Sequence, residues 1–303
     1  NTGKIMYPAP FRYHRPASLS EAVEMLTGLG ETAKPLAGGQ TLIPILKLRM
    51  DEPSDLVDIT RLPALHYLDN ADGVIRIGAL ATHGRIGKSE LSKAVPILGD
   101  CANGIADAQV RSRGTIGGSV SAADPSCDWP ALLHVLDAEI VCQGENGSRT
   151  VPIREFIQDS YTTALVGGEL VTEIRFKAPP SNSGGAYIGF KKAAPAYPAA
   201  SAGIQLTLAE GNVCQQASLV LGAAGPRPVV SAEAESLLRG KTLSADLLKQ
   251  AAEILLQASD PPADSRGSAE FKRAMLQSIF MKAAFRAIER AGGELIEGGP
   301  EYV

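Results

Sequence analysis

One short stretch constrains this chain more than any other: Lys34-Pro35-Leu36-Ala37-Gly38-Gly39-Gln40-Thr41-Leu42-Ile43-Pro44. An apolar run enters it and two adjacent glycines turn it. Gln40 and Thr41 then precede Leu42, Ile43, Leu46 and Leu48. Paired glycines permit a tight turn and leave backbone N–H groups unshielded by side chains. Such a turn opening into a helix suits a phosphate or diphosphate. Taken alone, it fits an ordinary tight turn equally well. A second glycine-rich turn, Gly114-Thr115-Ile116-Gly117-Gly118-Ser119, offers two hydroxyls and an open backbone. Two such turns suggest a large anionic ligand held from two sides. Neither has the Walker A spacing with its terminal Gly-Lys-Ser/Thr, and neither is the Gly-x-Gly-x-x-Gly of a dinucleotide fold.

Composition excludes several classes. The 303 residues are 45% hydrophobic, enough for two or three modest cores. With 29 basic against 33 acidic side chains and 5% aromatics, no basic block points to nucleic acid. No apolar run reaches the ~18 residues of a membrane span. Asn1 to Pro10 lack the apolar core of a signal peptide, so a cytoplasmic protein is expected. Cys101, Cys127, Cys142 and Cys214 are widely and irregularly spaced, which reads as free thiols. His14, His66, His83 and His134 show no metal-ligand spacing, so no metal site is expected in this chain.

In order along the chain, Pro8 to Pro16 is an extended lead-in. Ser18-Leu19-Ser20-Glu21 is a capping box before a helix that ends near Gly28 and Gly30. Residues 34–37 form a strand into the first glycine turn. Thr41 is a candidate N-cap for a second helix, with Pro44 limiting how it starts, and 55–59 is a further strand. This β-α-β-α-β unit makes a first lobe, 1–60. In a second lobe, 61–177, hairpins surround Asn70-Ala71-Asp72-Gly73 and Glu145-Asn146-Gly147-Ser148. Helices are predicted at 92–101, 105–110 and 128–136, and a closing strand at 170–176. Ala178 to Gly185, rich in Pro, Ser and Gly, is a linker. Three strands (186–191, 200–209, 215–221) and three helices (231–239, 244–258, 268–291) then make an α+β C-terminal domain, 186–303. Gly292, Gly293, Gly298 and Gly299 suggest a loose tail.

Several side chains have two readings. Asp124 and Asp128 lie in Asp124-Pro125-Ser126-Cys127-Asp128. A carboxylate is a poor partner for phosphate but a good acceptor for ribose or ribityl hydroxyls; alternatively this segment only caps a helix. His83, after a run of small residues, reads as a core or hydrogen-bonding histidine. Lys191 and Lys192 fit either an anion contact or a solvated strand end. Tyr197, between Ala196 and Pro198, can stack on a planar ring or simply pack. No Gly-x-Ser-x-Gly elbow supports a hydrolase.

The order of these motifs resembles the FAD-binding medium subunit of the molybdenum hydroxylases, the xanthine dehydrogenase and carbon monoxide dehydrogenase family. The resemblance rests on Leu36 to Pro44 with Lys47-Leu48-Arg49, on Gly78-Ala79-Leu80-Ala81-Thr82-His83, and on Val110 to Ser119 continuing to Ala123-Asp124-Pro125, Asp128 and Pro130. Gly222 to Pro228 and Arg266 to Arg273 extend it over nearly the whole chain. It implies an α+β, two-lobed FAD-binding fold similar to the vanillyl-alcohol oxidase (PCMH) type, followed by a C-terminal domain with a small antiparallel sheet and helices.

The same resemblance implies site residues. Lys34, Leu36 and Leu42 would flank, and Ala37, Gly38, Gly39, Gln40 and Thr41 surround, the diphosphate. Gly114, Thr115, Ile116, Gly117, Gly118 and Ser119 would approach from the other lobe, with Ala123 and Asp124 at cofactor hydroxyls. Thr82 and His83 would lie near the cofactor, Lys191 or Lys192 near the flavin, and Tyr197 on its ring. Departures are Ser112 and Ser119 where the family often has Asn, Ala122 where it often has His, and no basic-then-acidic pattern over Ala193 to Tyr197. No inserted cysteine cluster is present, unlike the benzoyl-CoA reductase type.

The implied activity is electron transfer from iron–sulfur clusters through FAD to an external acceptor. The molybdenum cofactor and 2Fe-2S clusters would reside in a large and a small partner subunit, in a heterotrimer or its dimer. No group in this chain forms a substrate-hydroxylating site. The alternative is a self-contained FAD-dependent oxidase of the same broad fold.

Overall fold

The computed structural model describes residues 7–292. Gly293, Gly298 and Gly299 of the expected tail lie outside that range. The first region holds β1 (Arg12–His14), α1 (Leu19–Leu29), β2 (Ala33–Leu36), α2 (Leu42–Lys47) and β3 (Asp55–Asp58). Its three strands form a parallel sheet in the order β1-β3-β2. The capping box is present: the Ser18 hydroxyl accepts from Glu21 N at 3.1 Å, and Glu21 Oε2 accepts from Ala17 N at 2.6 Å. Ala22, Val23 and Leu26 of α1 bury against Ala33 and Val57. Asp55, with no exposed surface, takes two hydrogen bonds from Arg12 (2.8 and 2.7 Å) and one from Ser54 (2.6 Å), and pairs with His14. That cluster ties the edge strand β1 to the sheet centre.

The second region runs β4 (Leu68–Ala71), β5 (Val74–Gly78), α3 (His83–Gly87), α4 (Glu90–Ala94), α5 (Pro96–Gly104), α6 (Ala108–Arg113), α7 (Ile116–Ala122) and α8 (Asp128–Val135). It continues through β6 (Glu139–Gly144), β7 (Gly147–Pro152), α9 (Ile153–Phe156), β8 (Ile157–Asp159), β9 (Thr162–Thr163) and β10 (Leu170–Lys177). Its antiparallel sheet has the order β4-β5-β10-β6-β7. Asp72 and Gly73, both at positive φ (55° and 71°), make the two-residue turn between β4 and β5. Pro96 opens α5, where its missing N–H costs nothing.

The third region holds β11 (Ser183–Phe190), β12 (Ala200–Ala209) and β13 (Val213–Gly222), an antiparallel sheet, then α10 (Ala232–Leu238), α11 (Ala245–Gln257) and α12 (Ala269–Arg290). One sheet face packs on these helices through Ile204, Leu206, Leu219, Leu248, Leu276 and Phe280. Tyr187 and Val220 point the other way, into the second region's core with Trp129 and Ile97. A charged clamp closes this junction. Arg290 donates to both oxygens of Asp100 (2.5 and 2.9 Å) and to Gly185 O (2.7 Å), and Asp100 also accepts from Tyr187 N (3.1 Å).

Three local expectations need correction. Thr41 has helical φ/ψ and its side chain makes no capping bond; Leu42 follows without an extended residue to turn the hydroxyl inward. The predicted 105–110 helix begins at Ala108, because Asp107 is the N-cap and accepts from Val110 N at 2.9 Å. Residues 116–119 are not a turn but the start of α7, capped by Thr115, whose hydroxyl accepts from Gly118 N at 3.1 Å.

Removing the clamp carboxylate leaves Arg290 half-buried without its charge partner. Asp100→Ala is expected to lower unfolding free energy by about 2 kcal/mol, measured by urea denaturation.

Candidate functional site

The two glycine segments meet. A Cβ on Gly38 would lie 2.2 Å from Arg113 O and 2.8 Å from Gly114 Cα, so the backbones touch and only glycine fits. Gly39 adopts φ +72° over Leu36 and Ile43. On the other side, a Cβ on Gly117 would lie 2.5 Å from that of Ala79, and one on Gly114 would lie 2.6 Å from His83 Nε2. The starts of α3 and α7 run side by side, joined by a Thr82–Thr115 bridge and by His83 N donating to Gly114 O at 3.0 Å.

Between these segments and the third region opens a cleft of about 500 Å³. Its first wall carries Lys34, Ala37, Gly38, Gly39, Gln40, Thr41 and Leu42. The opposite wall carries His83, Gly114, Thr115, Gly117, Gly118 and Ser119. Lys191 and Tyr197 close it from the third region. The remaining sequence candidates stand elsewhere. Leu36 packs beneath Gly39, Ile116 is fully buried, and Thr82 caps α3 by accepting from Arg85 N at 3.3 Å. Ala123 is the left-handed C-cap of α7. Lys192 donates to Ser265 O at 3.2 Å, on the outer surface. Asp124 folds onto its own loop, accepting from Ser126 N at 2.8 Å and from the Tyr161 hydroxyl at 3.3 Å. It lines a second, adjoining cavity.

The two glycine segments offer different chemistry. The backbone amides of Gly38, Gly39, Gln40 and Thr41 donate to no other group among the described residues. In the second segment the amides from Ile116 to Ser119 are all committed: Ile116 N to Ala81 O (3.1 Å), Gly117 N to Ala79 O (2.9 Å), Gly118 N to the Thr115 hydroxyl (3.1 Å) and Ser119 N to Thr115 O (3.0 Å). One wall therefore supplies N–H donors, and the other supplies hydroxyls and a smooth glycine surface.

Asp128, read from sequence as a helix-start residue, is also in the cleft wall. It begins a helix whose other seven residues are all buried, an environment that makes a carboxylate conspicuous. Burial raises its pKa to about 6, opposed by Lys191 Nζ at 4.0 Å and a hydrogen bond with Tyr187. Cys127, Ser121 and Tyr161 also line the cleft; no local motif distinguished them. Burial pushes the Cys127 thiol up to about 12, so it stays protonated. Tyr197 reaches Thr41 and Cys127 with its hydroxyl, and burial raises its pKa. His83 Nδ1 accepts from the indole of Trp129 at 3.0 Å. Burial, then Arg111, lowers its pKa to about 4, so the ring is neutral.

This cleft, between a glycine-turned lobe, a second α+β lobe and a capping third region, suits a large phosphate-bearing cofactor. Comparison with known proteins agrees. Residues 9–179 match the model of the FAD binding domain in molybdopterin dehydrogenase, and residues 185–287 match the CO dehydrogenase flavoprotein C-terminal domain. The chain is 39% identical to the carbon monoxide dehydrogenase medium chain of Afipia carboxidovorans, over 94% of this chain and 99% of that one. It is 37% identical to the glyceraldehyde dehydrogenase medium chain of Sulfolobus acidocaldarius, over 92% and 98% respectively. Among solved structures, reconstituted CO dehydrogenase from Oligotropha carboxidovorans superposes with a TM-score of 0.91 at 38% identity, covering 93% of this chain and 99% of that one. The chain belongs to the family of FAD-binding medium subunits of molybdenum-dependent dehydrogenases.

His83 gives a pH signature. Its folded pKa lies below its ordinary value near 6.5, so the unfolded chain takes up a proton first as pH falls. The stability it contributes is complete above about 6.5 and lost towards about 4. In His83→Gln, whose amide oxygen still accepts from Trp129, stability is expected to decline less over that window, measured by urea denaturation at fixed pH.

Proposed function

We propose that this chain binds FAD in the cleft and relays electrons through it, from iron–sulfur clusters of one partner subunit to an external acceptor. The observation that carries this reading is the run of unpaired amides from Gly38 to Thr41, facing a cleft on whose opposite wall the amides of Ile116 to Ser119 are already paired. A diphosphate supplies the acceptors those amides lack. A side chain at Gly38 would collide with Arg113, so the glycine keeps the cradle and the second wall together.

When bound, the flavin supplies the two-electron chemistry. The chain's own residues bind and orient it. Gly38 to Thr41 hold the diphosphate. Thr115 and Ser119 present hydroxyls, with Gly117 and Gly118 keeping that wall low. Asp128 and Lys191 form a charged pair at the inner wall, suited to cofactor hydroxyls and to the polar edge of the ring system. Tyr197 covers the opening. Neutral His83 adds no charge to the cleft and holds Trp129. Asp124, bonded within its own loop, is better placed as support for Tyr161 than as a direct ligand. We further propose three functional units at 1–60, 61–177 and 186–303, the cofactor lying where they meet.

The relatives' names, medium chains and subunits of carbon monoxide, glyceraldehyde and nicotine-oxidising enzymes, support a place in a larger assembly. In this reading a large subunit holds the molybdenum cofactor and the substrate, and a small subunit holds 2Fe-2S clusters. The three form a heterotrimer or its dimer in the cytoplasm. Among the described residues no helix is long and apolar enough to cross a membrane. The substrate pocket then lies outside this chain, and the isolated FAD-loaded chain performs no hydroxylation.

The test is purification with flavin quantification. One FAD per chain is expected by absorbance, with a molybdenum- and iron-containing partner set co-purifying. Gly38→Ala is expected to weaken FAD binding at least ~10-fold, about 1.4 kcal/mol, by fluorescence titration. A colourless protein that FAD does not bind contradicts the reading. Steady hydroxylation by the chain alone favours the self-contained oxidase instead.

A further inference from the structure

The cleft is covered by the loop 191–198, between β11 and β12. Lys191, Pro195, Ala196 and Tyr197 of this loop line the cleft, and the Tyr197 hydroxyl reaches Thr41 on the first wall. Little within the loop keeps it there. Ala199 N donates to Phe190 O (2.8 Å) at its base, and Ala196 N donates to Ala193 O (3.1 Å). Ala193, Ala194 and Pro195 are exposed, and their side chains form no hydrogen bonds. The loop is held from outside, at Lys191, Lys192 and Pro198. We propose that Arg266, which does not itself line the cleft, is the positioning residue that holds Tyr197 across it and so retains the cofactor. The proposal rests on FAD occupying the cleft.

Two of the three ties end on one turn. Lys191 donates to Gly104 O, in the second region. Lys192 donates to Ser265 O (3.2 Å), and Arg266 Nη1 donates to Pro198 O (3.2 Å). Pro198 is buried and directly follows Tyr197. A proline restricts the residue before it to extended backbone. Holding the Pro198 carbonyl therefore sets the direction in which the Tyr197 ring leaves the chain.

The turn is rigid enough to serve as an anchor. Asp264 and Gly267 exchange backbone bonds (3.0 and 3.1 Å), and Asp264 Oδ1 accepts from Arg266 N at 2.8 Å. The Asp264 carboxylate also accepts from Arg266 Nε and Nη2 (2.9 and 2.6 Å). Lys272 of α12, buried, lies 2.9 Å from the same carboxylate and donates to Pro262 O at 2.6 Å. Burial pushes the Asp264 carboxyl up, but its bonds to Arg266 and Lys272 prevail and hold it well below the usual carboxylate range. With Nε and Nη2 committed, the guanidinium plane is fixed. Its Nη1 then meets two groups at once, Pro198 O and the buried Ser126 hydroxyl (2.7 Å). Ser126 stands two residues before Asp128 of the cleft wall. Arg266 thus sets Tyr197 against both the third region and the second, and Tyr197 carries that placement across to Thr41.

The test uses the FAD-loaded complex as purified. Release of FAD on dilution is followed as free flavin fluorescence appears. Arg266→Gln is expected to release FAD ~10-fold faster, the scale of a lost charge-assisted hydrogen bond. Tyr197→Ala is expected to do the same. Because one residue acts through the other, the double variant should be no more than ~2-fold faster than Tyr197→Ala, whereas independent effects multiply to ~100-fold. The flavin's visible circular dichroism, taken as loaded minus FAD-stripped complex, should change alike in Arg266→Gln and Tyr197→Ala and no further in the double variant. Arg266→Lys keeps a charge beside Asp264, but an ammonium cannot grip that carboxylate and reach Pro198 O together. It is expected to release FAD faster than wild type, and it decides the matter if Arg266→Gln fails to assemble. Multiplicative release rates, or wild-type release by Arg266→Lys, overturn the proposal and leave the FAD reading intact. Absence of flavin from the wild-type complex contradicts the FAD reading itself.

Discussion

The arrangement depends on one close approach, Gly38 against the carbonyl of Arg113. The missing Cβ at Gly38 lets two backbones from different lobes touch, and even a methyl group would sit 2.2 Å from an oxygen. Around this point the second lobe packs with equal economy. Gly117 lies on Ala79 and Gly114 on His83, whose backbone N–H reaches back to Gly114 O. The cleft has its shape because these contacts fix the separation of its walls, and close-packed interiors transmit such constraints rather than absorb them.

That geometry separates duties within the site. Donors concentrate on the first wall because the second wall's amides from Ile116 to Ser119 are spent on building α7 and joining it to Ala79 and Ala81. Electrostatics follow the same division. His83 and Cys127 are kept uncharged by burial, while Asp128 and Lys191 form the charged pair at the inner wall. The third region contributes Lys191 and Tyr197, and the Arg290–Asp100 clamp holds that region in place far from the opening.

Much of this was legible in the sequence. The two-residue turn at Asp72-Gly73, the capping box at Ser18 and the C-terminal strand-then-helix order follow from local chemistry, although β11 begins at Ser183, inside the 178–185 stretch expected as linker, because Ser183 to Gly185 already pair with Gln205 to Thr207. Both glycine segments do reach one cleft. What the sequence hid was the reason for the second set of glycines. Gly117 and Gly118 read as an open backbone, yet they are helical and serve close packing, a tertiary fact that spacing does not carry. Asp124 and Asp128 sit four residues apart in one polar cluster, and nothing local says which faces inward. The fold chose Asp128, because α8 is buried all round and its first turn abuts the cleft. Lys191 and Lys192 pose the same problem just past the end of β11: one faces the cleft and the other the surface.

The most direct measurement is a crystal structure of the protein with FAD bound, read at the diphosphate. The account predicts diphosphate oxygens within hydrogen-bonding distance of the amides between Gly38 and Thr41, with the second wall contributing hydroxyls and none of the amides from Ile116 to Ser119. A diphosphate seated away from Gly38 to Thr41, with those amides still unpaired, would contradict it.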